Sequence, residues 1–225
     1  TGFEKKNLAD NSFDVVVGNI PFGSLKINDR RYNKHNFAIH DYFFAKSLDK
    51  VRAGGIIAFI TSTSTMDKQN SSVRKYISDR AELLGAIRLP NNAFKSYAGT
   101  EVTSDIIFLK KREHTIDMAD DWVYTGKYQN ENGEFTMNQY FIDNPDMVLG
   151  NVVLNKLYGR GASVEAFENA DLKDLLEKAV SKIKGKYVER TAEITEEKEL
   201  ENAIPAEEGV RNFSYTIVDD KRSEE

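Results

Sequence analysis

Residues 13–23 constrain this chain more than any other stretch. Phe13-Asp14-Val15-Val16-Val17-Gly18 is an apolar, β-branched run that Asn19-Ile20-Pro21-Phe22-Gly23 brings to an abrupt end. The run is too short for a helix and too continuous for a strand with one wet face, so it predicts a buried parallel strand. Pro21 lacks the N–H that a central strand must donate and marks where the strand stops. A parallel strand in turn demands a crossover connection and a layered α/β fold.

The following residues supply the other layers. Residues 24–36 are polar and basic, with Lys26, Arg30, Arg31, Lys34 and His35 around Tyr32, and read as a loop. Phe37, Phe43, Phe44, Leu48 and Val51 recur near helical spacing over residues 37–52, and Gly54-Gly55 is expected to stop that helix. Ile56 to Thr61 predicts a second buried strand, and Ser62 to Thr65 offer an N-cap for a helix over residues 69–80. Leu83–Leu89, closed by Pro90, and Ser104–Leu109 predict a third and a fourth strand. No long helix separates these last two, so they are expected to pair antiparallel at the sheet edge. Residues 114–160 are rich in Asn, Asp, Gly and Tyr and read as an irregular extension. Leu172, Leu175, Leu176, Ala179, Val180 and Ile183 share one helical face, with Asp171 as a cap. Residues 188–209 read as an acidic solvated helix or linker, and Val210–Val218 as a closing strand or the lead-in to a further domain.

Composition removes several function classes. With no cysteine, disulfides, thiolate zinc sites and a Cys nucleophile are all excluded, and three histidines leave little for a His-rich metal centre. No apolar run approaches the roughly 20 residues of a membrane span, and no signal peptide opens the chain, so a soluble cytoplasmic protein with no membrane partner is expected. The first residue is Thr1 rather than Met, which reads as a piece cut from something longer. The net charge of −5 hides a split. Residues 1–113 carry 18 Lys and Arg against 12 Asp and Glu, a balance of +6, and residues 114–225 carry 13 against 24, a balance of −11. The basic half suits phosphates, and the acidic half suits solvent or a basic partner.

The turn at the end of the first strand carries the chemistry. Ligands of open α/β sheets sit beyond the carboxyl ends of the strands. There the Asn19 side-chain carbonyl can accept one hydrogen of an exocyclic NH2 group and the Ile20 backbone carbonyl the other. Pro21 stiffens the turn, and Phe22 offers a face on which a planar base can stack. Two acceptors and one flat surface draw an aromatic amine's lone pair out of conjugation, which its methylation requires.

Asn19-Ile20-Pro21-Phe22 resembles the Asn-Pro-Pro-Tyr/Phe motif of N6-adenine DNA methyltransferases, with Ile20 in place of the first Pro. The order of later segments is similar too. Thr1-Gly2-Phe3-Glu4 resembles the tail of the preceding motif, and Gly54 to Ser62 the next strand. Ala86-Ile87-Arg88-Leu89-Pro90 with Phe94, then Thr103 to Lys110, resemble the terminal strand pair. Ile20 together with Asn144-Pro145-Asp146-Met147-Val148-Leu149-Gly150 is most similar to the methylase regions of large methylase–helicase proteins of bacterial mobile elements.

The resemblance implies the C-terminal part of a Rossmann-like methyltransferase sheet, about four strands with flanking helices, followed by a mainly helical acidic tail. It implies a partial catalytic domain over 1–113, a packed extension over 114–160, and an acidic helical segment and linker over 161–225. It also implies S-adenosylmethionine as cofactor, DNA as partner, and further domains of the same parent, a helicase among them. Asn19 and the Ile20 carbonyl would hold the target amino group and Phe22 would stack the base, which must first be flipped from the duplex. Lys26, Arg30, Arg31 and Lys34 would contact phosphates, adding affinity without sequence choice. Ile20 keeps the acceptor carbonyl but gives up some rigidity. The Gly-rich cofactor loop and the acidic residue for the cofactor ribose are expected upstream of Thr1. Gly54-Gly55 and Gly159-Arg160-Gly161 do not replace them, because neither lies between a strand and a helix. The piece by itself is therefore expected to bind the cofactor poorly and to be inactive.

Plainer readings stand beside these. His40-Asp41 flanks a helix start rather than forming a catalytic dyad, the Ser62–Thr65 hydroxyls serve caps, and Lys110-Lys111-Arg112 is an exposed strand end. Protein-glutamine and RNA methylation pose the same geometric problem as adenine. A DNA-binding module that keeps the fold without catalysis is the third alternative.

Overall fold

The computed structural model describes residues 2–23, 25–95, 99, 101–154, 161–185 and 187, and the backbone of Tyr215–Val218 and Lys221–Glu224. Residues 1–188 form one unit and residues 189–225 another. The fold of the first is α/β. Its central sheet is built from β1 (Phe13–Asn19), β2 (Val51–Ser62), β3 (Ala81–Leu89) and β4 (Ser104–Lys111), in the order β1-β2-β4-β3. β1 and β2 are parallel, with Asn19 opposite Ile60, and α1 (Ile39–Lys50) makes the crossover between them. β4 runs antiparallel to both β2 and β3. The last two strands thus pair as expected, but β4 lies inside the sheet and only β3 takes the edge.

β1 is parallel, as its β-branched run predicts, but it is not buried. Phe13, Val15 and Val17 are 38, 48 and 69% exposed. Burial of a parallel strand requires a neighbour on each side and a layer on each face. Among the described residues β1 is hydrogen-bonded to β2 alone. Val15 and Val17 pair with Ile56 and Ala58, on the face turned away from the contact between Phe59 of β2 and Phe44 of α1, whose rings lie 5.1 Å apart.

Gly54-Gly55 does not stop the helix. α1 ends at Lys50 and β2 begins at once with Val51. The register jumps from Phe13–Val51 to Val15–Ile56, so the glycines sit in a strand irregularity. Gly54 has φ +73°, and a Cβ on Gly55 would stand 2.7 Å from the Asp14 carbonyl oxygen. Only glycine fits both demands.

The helix expected over 69–80 is the shorter α3 (Ser72–Ser78), and a separate short helix, α2 (Ser64–Asp67), precedes it. Asn70 intervenes and accepts a hydrogen bond from the Ser72 N–H at 2.9 Å, a local bond that competes with helix. Lys111 and Arg112 are not a free strand end either. Lys111 donates to Asn11 and the Val51 carbonyl, and Arg112 to the Ser78 carbonyl and Asp120.

Residues 114–165 contain two antiparallel hairpins where the sequence shows only short apolar pieces. They are β5 (Thr125–Asn130) with β6 (Gly133–Asn138), and β7 (Asn151–Leu154) with β8 (Ala162–Glu165), and α4 (Gln139–Asp143) lies between the pairs. Trp122, Phe135, Met137, Phe141, Val148 and Val164 join Ile57, Met66, Ile87 and Ile107 in one hydrophobic core. α5 (Leu172–Ser181) adds Ala179 to that core and is capped by Asp171, as its pattern predicts. In the second unit, β9 (Tyr215–Val218) and β10 (Lys221–Glu224) pair antiparallel. The linker reading of residues 188–209 falls outside the described residues, as does most of Gly159-Arg160-Gly161.

Candidate functional site

The turn Asn19-Ile20-Pro21-Phe22 leaves the carboxyl end of β1 with its residues facing different ways. Ile20 is 3% exposed, inside the main core, and its N–H donates to the Ile60 carbonyl at 3.1 Å. That anchor ties the turn to β2 while Asn19 and Pro21 stay exposed and Phe22 is 41% exposed. Among the described residues no hydrogen bond occupies the Asn19 side chain. Gly23 follows at φ +136°, a conformation that other residues avoid, and swings the chain away.

The four basic residues expected to touch phosphates fall into two pairs. Arg31 is held by Asp10 at 2.7 Å and Asp49 at 3.0 Å, and lies over the Tyr32 ring at 5.8 Å. The hydrogen bond it donates to Asp10 and the charge of Asp49 raise its pKa. Lys26 donates to Asn36. Arg30 and Lys34 are exposed, with no ion pair among the described residues. Below them Tyr32, Phe37, Tyr42 and Ala45 form a second, smaller core. Asp29 ties that core down, accepting from Tyr42 at 2.8 Å and Lys46 at 3.1 Å. Burial would raise the Asp29 pKa, but these bonds outweigh it and hold it below the usual carboxylate range. The loop is therefore a fixed platform beside the turn, a property that its polar sequence conceals.

His40 and Asp41 lie buried in the first turn of α1, Nε2 to Oδ1 3.3 Å. Burial lowers the His40 pKa, with Lys68 adding to the effect, and burial raises that of Asp41. Among the described residues no hydrogen bond or ion pair joins the two to the Asn19–Phe22 turn.

Sequence reasoning missed a buried polar hub behind the turn. Arg88 pairs through Nε and Nη2 with both oxygens of Asp105, at 2.7 and 2.8 Å, and through Nη1 with Asp67 at 2.8 Å. Its guanidinium lies 4.3 Å from the centre of the Phe141 ring. Asn138 donates from Nδ2 to the carbonyls of Met66 and Trp122, both at 2.8 Å. The one available signal was a lone Arg inside an apolar strand, at Arg88. Among the described residues there is no group of three or more His, Cys, Asp or Glu placed to hold a metal. Nor does any strand there run through a glycine-rich loop into a helix, the arrangement that cradles a nucleotide-like cofactor.

Residues 1–94 match the model of the Eco57I restriction-modification methylase family.

Defense against restriction protein B of Escherichia phage P1 is 36% identical over 115 residues, covering 49% of this chain and 5% of that protein. The chain thus spans about a twentieth of that curated relative. Two solved structures overlap about half of it. One is assigned as a class I S-adenosylmethionine-dependent methyltransferase from Listeria monocytogenes, with TM-score 0.39, 22% identity, and 51% of this chain on 36% of that one. The other is the M protein of the type I restriction enzyme EcoKI, with TM-score 0.39, 21% identity, and 49% on 23%.

Proposed function

We propose that this chain carries the amino-acceptor part of an S-adenosylmethionine-dependent DNA methyltransferase acting on the N6 amino group of adenine. One observation carries the reading. Asn19 and Phe22 stand exposed at the carboxyl end of a parallel strand, on a turn that the Ile20 side chain and N–H anchor to β2. The Asn19 side-chain carbonyl and the Ile20 backbone carbonyl accept the two amino hydrogens of a flipped base. Phe22 stacks on the ring, and the lone pair is left directed away from the turn. The methyl donor supplies an electrophilic carbon, and its binding residues are expected outside the described part of the chain. The match of residues 1–94 to a restriction-modification methylase family supports DNA as the substrate class. Arg30 and Lys34, exposed on the loop after the turn, favour DNA over a glutamine side chain.

The test is transfer of tritiated methyl from S-adenosylmethionine to unmethylated DNA by the full-length parent protein, followed by nucleoside digestion. Label is expected in N6-methyladenine, with Asn19→Ala reducing transfer by at least about a hundredfold, the scale of losing a positioned electrostatic group. Equal transfer by that variant would overturn the site assignment. Label in RNA or protein would move the substrate class.

A further inference from the structure

The segment next to the acceptor turn is held in place from outside the region that matches the methylase family. Asn19 is in register with Ile60, and Ile20 donates to the Ile60 carbonyl, so Pro21 and Phe22 leave the sheet beside Thr61 and Ser62. There the chain makes a turn rich in hydroxyls. Ser62 Oγ accepts from the Ser64 N–H at 3.2 Å and lies 3.1 Å from Ser64 Oγ, while Thr61 and Thr65 share a buried bond of 2.9 Å. Ser64 is exposed, and Ser62 and Thr63 are half-buried.

The carbonyls that end this turn do not hydrogen-bond to their own sheet. Thr65 O accepts from Arg74 Nη1 at 3.3 Å, and Met66 O from Asn138 Nδ2 at 2.8 Å. Arg74 and Asn138 reach on, through Arg74 Nε to Val123 O at 2.7 Å and through Asn138 Nδ2 to Trp122 O at 2.8 Å. The next side chain, Asp67, is taken by the Asn138 N–H at 2.9 Å and by Arg88 at 2.8 Å. Asn138 is wholly buried. Its Oδ1 accepts from the Tyr140 N–H at 3.0 Å, which caps α4, so one side chain ties the cap, the 65–67 segment and the Trp122 turn together. Buried amides of this kind fix backbone position because leaving either carbonyl unpaired is costly.

We propose that the Ser62–Ser64 turn is a second wall of the acceptor site, facing the target nucleotide with hydroxyls. Asn138 is the positioning residue that holds this wall beside Phe22. The extension is then part of the target-binding apparatus, although it lies beyond residue 94. The inference rests on the base-methylation reading for what the wall contacts, and on the hydrogen bonds alone for what holds it.

The test uses Asn138→Ser in the full chain, which keeps an oxygen acceptor to cap α4 and removes both amide donors. Asp171→Ala, which removes the cap of α5, is the control for mere loss of stability. In hydrogen exchange, amides over 62–67 of Asn138→Ser are expected to exchange about tenfold faster than wild type, the scale of one lost buried hydrogen bond. Those of Ile57–Ile60 stay unchanged, and Asp171→Ala moves neither. A short DNA duplex with one adenine opposite an abasic site, and 2-aminopurine as its neighbour to report when that adenine leaves the stack, then reports base capture. Wild type is expected to change its fluorescence saturably, with half-saturation several-fold higher in Asn138→Ser and unaltered in Asp171→Ala. Unchanged exchange over 62–67 overturns the clamp. Faster exchange with unaltered capture overturns the wall. If wild type captures no adenine, the methylation reading falls and takes the wall with it, and exchange alone then decides the clamp.

Discussion

Arg88 is enclosed by Asp105, Asp67 and the Phe141 ring, and almost none of it reaches solvent. Burial alone would lower its pKa, but the two carboxylates outweigh that and raise it, so the guanidinium stays charged. Removing it leaves Asp105 buried without a counter-charge. Arg88→Met is expected to cost about 3–5 kcal/mol in urea unfolding, and Arg88→Met with Asp105→Asn recovers part of the loss. His40 sets a pH dependence. Its pKa is lowered by burial, so the unfolded chain takes up a proton below about 6.5 that the folded chain refuses, and stability falls as pH drops through that range. The slope reaches at most about 1.4 kcal/mol per pH unit for one group. Asp41, raised by burial, acts in the opposite sense, favouring the fold at low pH and losing that contribution as pH rises above its unfolded value of 3.8. Unfolding midpoints between pH 7.5 and 5.5 should therefore fall in wild type and fall less steeply in His40→Asn, where His35, also lowered by burial, keeps part of the dependence. None of this was legible residue by residue. Arg88 reads as one charge in an apolar run, and its partners lie 17 and 21 residues away.

Among the elements, β1 and β2 show what local pattern can and cannot carry. The β-branched run and Pro21 were enough to place β1 and its end. The turn at 19–22 was legible as a strand end because Pro21 directly follows the apolar run. Gly54-Gly55 misled because a glycine pair signals a break without saying which element breaks. The break belongs to a strand irregularity, where Gly55→Ala sets a Cβ against the Asp14 carbonyl oxygen and is expected to cost about 1–3 kcal/mol. β1 itself should tolerate charge. Val17→Lys is expected to change stability by less than about 0.5 kcal/mol, as at other exposed positions, and to reduce light scattering by blunting an open edge. A large loss of stability there would show that Val17 is covered.

Across the whole molecule, charge and core are organised differently. The balance changes from +6 to −11 near residue 113, yet the hydrophobic core runs straight through that point, joining Met66 and Ile107 to Phe141 and Val164. A chain cut after residue 113 is therefore expected to lose its cooperative thermal transition, because the outer core wall and the Asn138 bonds go with the removed part. A chain cut after residue 188 should keep the transition, since residues 1–188 form one unit. By itself the sequence determined where the four strands of the central sheet, the turn at 19–22 and the capped helix α5 lie, because β-branching, proline, glycine and capping act over a few residues. The tertiary structure alone decided that β1 is an exposed edge, that β4 lies inside the sheet, and that the extension grips the segment beside the acceptor turn. Burial and pairing there depend on groups brought together from distant parts of the chain, for which no local pattern exists.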